Sequence, residues 1–139
     1  MSRSMKNVFE FEAFGKKFEA RFVYDKYVYS KTPYIALQTY DKENNYWEDF
    51  CEVTTCVDGL KHNSNEIAIQ LKPACEENSY WPNIIGKLSE KGIIEFDGDR
   101  LYSGFNTYDK YIVDMNKIKE NCCNLNEFAQ PEKDNSKGR

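Results

Sequence analysis

Apolar and charged residues alternate on either side of Gly15-Lys16, and that spacing constrains the start of the fold more than any other feature. Phe9, Phe11 and Ala13 interleave with Glu10 and Glu12, and Phe18, Ala20, Phe22 and Tyr24 resume the same period beyond the glycine. A period of two gathers each set on one face of a strand, so the pattern predicts an antiparallel hairpin with one apolar face. With Gly15-Lys16 as a two-residue type II′ turn, Ala13 falls opposite Phe18, Phe11 opposite Ala20 and Phe9 opposite Phe22. That register sets Glu10 across from Arg21, a mild gain, and Glu12 across from Glu19, a cost of a few tenths of a kcal/mol.

Further strands follow. A third is expected over 34–40, with Ile35 and Leu37 on one face, after a turn at 29–33. A fourth is expected over 46–57, where the two-residue period falters near Phe50 and Cys51 and so predicts a bulge. Residues 58–65 read as a loop, and Ile67, Ile69 and Leu71 mark a fifth strand closed by Pro73, which together suggest an antiparallel meander.

The period changes at Trp81. Trp81, Ile84, Ile85 and Leu88 recur at helical spacing, with Pro82 in the first turn and Gly92 past the end. Residues 93–96 read as a short strand or link, Asp97-Gly98 as a turn, and 101–115 as one or two strands containing Gly104. Met115, Ile118, Cys122 and Leu125 predict a second helix over 116–126. The expected fold is α+β: an antiparallel sheet of five to seven strands that starts with the N-terminal hairpin, with two helices packed on it. At 139 residues the chain suits one domain, 1–129, and the polar stretch 130–139 is expected to be disordered.

Catalytic chemistry finds no support in the residues. Five cysteines and a single histidine, His62, invite a zinc site, but zinc ligands come in close pairs. Cys51 and Cys56 would point to opposite faces of a strand, and adjacent Cys122 and Cys123 diverge on a helix. Free thiols are expected, with no metal and no cofactor. His62 sits in a polar loop, away from any recognisable nucleophile. The carboxylate pairs Asp97 with Asp99 and Glu76 with Glu77 read as turn and solvation residues, and no phosphate-binding glycine motif is present. The chain is expected not to be an enzyme.

The net charge of −4 and the pI near 5.1 argue against wholesale binding of nucleic acid. No stretch approaches the roughly 18 apolar residues of a membrane span, and the N-terminus lacks a signal-peptide core, so a cytosolic location is expected. The charge itself is uneven: Asp41, Glu43, Glu48, Asp49, Glu52 and Asp58 face only Lys42 between 41 and 58. Interleaved with Tyr40, Tyr46, Trp47 and Phe50, these carboxylates suggest a face for a protein partner with a basic surface, aromatics anchoring and charge steering. The expected partner-binding set is Asp41, Glu43, Tyr46, Trp47, Glu48, Asp49 and Glu52. A solvated hairpin with its aromatics turned inward accounts for the same residues. The opposite reading, a nucleic-acid-binding face, would use Tyr24, Lys26, Tyr27, Tyr29, Lys31 and Tyr34.

Leu88-Ser89-Glu90-Lys91-Gly92-Ile93-Ile94, then Gly98-Asp99-Arg100, then Ser103-Gly104-Phe105-Asn106-Thr107-Tyr108, form an ordered set of short motifs. Over 81–115 the chain resembles a family of small uncharacterised bacterial proteins carried on conjugative or phage-like elements. The resemblance implies an accessory role on a mobile element and transfers no catalytic residue. Small acidic proteins of such elements include inhibitors of host defence nucleases, anti-CRISPR proteins among them, that obstruct a nucleic-acid channel with carboxylates. The concrete expectation is therefore a non-catalytic inhibitor of a host nucleic-acid-directed defence complex; the alternative is a nucleic-acid-binding accessory factor of the element.

Overall fold

The first hairpin closes one residue before the glycine pattern predicts. In the computed structural model, which describes residues 7–126, β1 (Phe9–Ala13) pairs with β2 (Lys16–Lys26) around Phe14-Gly15. Both turn residues have positive φ, 53° and 76°, as a type I′ turn requires. The register is thereby displaced by two: Phe11 faces Phe18, Phe9 faces Ala20, and Glu10 faces Glu19 instead of Arg21. A displacement of two keeps every side chain on its expected face. Phenylalanine is a costly residue at positive φ; here its ring packs on Tyr80, with centroids 5.5 Å apart.

β3 (Pro33–Asp41) and β4 (Tyr46–Glu52) complete the first sheet in the order β1-β2-β3-β4. Leu37 faces Cys51 while Gln38 faces Asp49, so Phe50 is the extra residue of the bulge that the broken period predicts. β4 stops at Glu52, short of 57. The Val53 and Thr54 amides both turn to the Ile35 carbonyl, at 2.9 and 3.3 Å, and Thr55 bridges to Ala68. That bridge carries the chain into a second sheet, so the expected meander breaks after β4.

The second sheet has the order β5-β7-β6, from β5 (Glu66–Gln70), β6 (Ile94–Ser103) and β7 (Asn106–Val113). Gly104-Phe105 closes the β6–β7 hairpin. Asp97-Gly98 is not a turn but part of an irregularity inside β6, between Phe96 and Arg100. The reason is electrostatic: it brings Asp97 and Asp99 to 3.3 and 3.4 Å from the Lys110 ammonium, which also meets Glu66 at 3.7 Å. Burial pulls the Lys110 ammonium down, but its bonds to Asp97 and Asp99 and the charge of Glu66 outweigh this and leave it raised.

Helix α1 (Trp81–Glu90) buries Trp81, Ile84 and Leu88 and gives way to Gly92 at φ 74°. Helix α2 (Met115–Asn121) is shorter than the expected 116–126. The Asp114 carboxylate caps it, accepting from the Asn116 and Lys117 amides at 3.0 and 3.2 Å. Cys122 is already extended, which lets β8 (Cys123–Asn124) add in parallel to β2. Ala20, Phe22, Ile35 and Leu37 from the first sheet, Ile67, Ile69 and Val113 from the second, and Ile84, Leu88 and Ile118 from the helices form one buried cluster. The fold is α+β, and the described residues hold the N-terminal hairpin, two α-helices and eight strands divided between two sheets. Among the described residues no helix is long and apolar enough to cross a membrane. The expected tail at 130–139 lies outside the described residues.

Candidate functional site, the acidic β4 edge

The acidic run falls on β4 and on the turn that leads into it. Asp41 organises that turn: its Oδ1 accepts from the Glu43 and Asn44 amides at 3.0 and 3.2 Å, and its Oδ2 from Asn44 Nδ2 at 2.9 Å. The Asn44 side-chain and main-chain bonds, with that of Glu43, hold the Asp41 carboxyl below its ordinary range. Glu43 is exposed within the same turn.

Along β4 the side chains alternate, so the run does not form the single face expected from sequence. Glu48 faces Thr39 and Tyr46 faces Asp41, on the side of the sheet that carries Leu37 and the core. The Tyr46 hydroxyl donates to Glu48 Oε1 at 3.4 Å, and the Glu48 charge raises the Tyr46 pKa. Trp47, Asp49 and Glu52 take the opposite side, facing Tyr40, Gln38 and Ala36.

That opposite side is organised around Arg21, a residue the sequence reading did not single out. Arg21 is 5% exposed; its guanidinium carbon lies 4.2 Å from the centre of the Trp47 ring, and its Nε donates to Gln38 Oε1 at 2.9 Å. Gln38 Nε2 donates in turn to Asp49 Oδ1 at 3.1 Å. The Trp47 ring also packs on Tyr40, 5.2 Å between centroids, while its buried Nε1 has no hydrogen-bond partner among the described residues. Trp47 therefore acts within the fold as the cover of a buried cation. The legible signal was Arg21 itself, a charge between Ala20 and Phe22 in the longest strand.

On the other side of β4 an aromatic run extends from the sheet to α1. Phe18 lies 6.0 Å from Phe50, Phe50 5.3 Å from Tyr80, and Tyr80 5.5 Å from Phe14. Phe14 remains 59% exposed and Tyr46 49% exposed.

Ion pairing distinguishes this edge from the clusters around Lys110 and Arg100. In the second sheet Glu66, Asp97 and Asp99 surround Lys110, and Asp109 meets Arg100 at 3.1 Å. Asp41, Glu43, Glu48, Asp49 and Glu52 make no ion pair with any described residue. Glu52 accepts instead from the Tyr34 hydroxyl at 3.4 Å, and burial together with Glu52 pushes Tyr34 up to about 12.

Of the residues of the alternative nucleic-acid face, Tyr27 and Tyr34 are engaged in packing, the Tyr27 hydroxyl bonding that of Thr54 at 2.9 Å and the two rings meeting edge-on at 5.5 Å, while Lys26, Tyr29 and Lys31 are exposed. All five cysteines are free thiols. Burial drives Cys51 up to about 11 and Cys122 up to about 12, away from the thiolate form a nucleophile needs. His62 is exposed in its loop, and no group of potential metal ligands occurs among the described residues. Comparison with protein families, with curated proteins and with solved structures finds no match.

Proposed function

We propose that the protein is a non-catalytic binding module that engages a basic protein partner through the β4 edge. One observation carries this reading: five carboxylates gathered within 41–52 lack an internal cation of the kind that Lys110 and Arg100 give Glu66, Asp97, Asp99 and Asp109. Repulsion among uncompensated charges costs the free protein stability, and a basic surface relieves it. Tyr46 supplies an exposed aromatic anchor beside Glu48. In its most concrete form the partner is a host nucleic-acid-directed defence complex, whose phosphate-binding groove accepts carboxylates; this form rests on the sequence resemblance over 81–115. The test is capture from a nuclease-treated bacterial lysate at rising salt. A stoichiometric, nuclease-resistant partner that dissociates as salt rises supports the reading. Recovery of nucleic acid alone, lost on nuclease treatment, contradicts it.

A further inference from the structure

The division of the acidic run between two faces restricts the shape of what it can hold. Tyr46 and Glu48 lie on one side of β4, and Asp49 and Glu52 on the other. A partner resting on either sheet face meets only half of these groups. An extended chain running beside β4 meets both halves, because its own side chains alternate with the same period. Among the described residues β4 pairs only with β3, so its outer row of main-chain N–H and C=O groups is open to such a chain.

We infer that the partner contributes an extended segment bearing lysine or arginine, which adds as a strand along β4 over 46–49 with its cations reaching Glu48 on one side and Asp49 on the other. This rests on the acidic-edge reading above. Main-chain bonds supply a sequence-tolerant part of the affinity, and the carboxylates select for positive charge. A second copy of this chain is a poor occupant, because two β4 edges side by side set carboxylate against carboxylate. The bulge at Phe50 ends the straight stretch of edge, so the paired segment is short.

The experiment titrates the full chain, isotopically labelled, with a short synthetic peptide of valine, threonine, lysine and arginine that carries cations on both faces. A twin peptide of identical charge is N-methylated along the pairing edge. Slowed amide exchange at 46–49 with the first peptide, and affinity lower by about tenfold or more for the twin, is the expected result. Equal binding of the twin overturns strand addition while leaving the acidic edge standing. Equal binding of the first peptide to E48K/D49K overturns the acidic-edge reading itself. Binding by neither peptide also overturns strand addition, and capture from lysate then judges the edge separately.

Discussion

The Trp47 ring covers the Arg21 guanidinium at 4.2 Å, so a residue whose sequence setting points outward to a partner is committed to the protein's own interior. Asp49 is half-committed in the same way through Gln38. What remains open to a partner is Tyr46, Glu48, Glu52, the turn carboxylate of Glu43 and the exposed carboxylate of Asp49 beyond its bond to Gln38.

Trp47→Ala should therefore act on stability, lowering the unfolding free energy by about 1–3 kcal/mol through lost packing and an uncovered cation. Tyr46→Ala should stay within about 0.5 kcal/mol, as surface substitutions do. Urea unfolding of the two variants measures the contrast, and equal losses would refute the assignment of the two faces.

The shift at Asp41 gives a pH dependence of definite sign. Its folded-state carboxyl titrates below the unfolded value of about 3.9. The stability it adds to the turn is complete above that value and is lost as pH falls through the lowered one. Carbon-detected NMR titration should show the Asp41 carboxyl as a low outlier that moves back toward its ordinary value in Asn44→Ala.

Tyr34 has the opposite sign. With its folded pKa at about 12 and an unfolded value of about 10, its contribution is complete below the lower figure and is lost as pH rises through the higher one. Ultraviolet titration of the folded wild-type protein and of Tyr34→Phe should differ by one tyrosine ionising near pH 12, and Glu52→Gln should bring Tyr34 down.

Lys110→Met should destabilise the second sheet, because it leaves Glu66, Asp97 and Asp99 close together without their shared cation. Adding Asp97→Asn and Asp99→Asn should recover much of the loss. Thermal unfolding of the single and triple variants checks this, and a triple variant weaker than the single one would contradict it.

The two-residue and helical periods made the α+β class, the N-terminal hairpin and α1 legible, because Phe11, Phe22, Leu37, Ile84 and Leu88 take their burial from local spacing. The hairpin register was not legible. It depends on Phe14 accepting positive φ against Tyr80, a contact between residues far apart in the chain. The Asp97-Gly98 irregularity likewise answers to Lys110 on a neighbouring strand, and the split into two sheets to Thr55 crossing to Ala68. The division of the acidic run differs from these, since strict alternation along β4 already separates Glu48 from Trp47 and Asp49. What sequence could not supply is that Arg21 is buried beneath Trp47, and that the acidic residues of β4 find no ion-pair partner within the described fold.

The measurement that bears most directly on the acidic edge is side-by-side capture by the wild-type chain and by E43K/E48K/E52K, after circular dichroism has shown that both are folded. Those three carboxylates make no ion pair with a described residue, so their reversal should leave the fold intact and abolish capture of the basic partner. Undiminished capture by the folded, charge-reversed chain would contradict the binding role assigned to this edge.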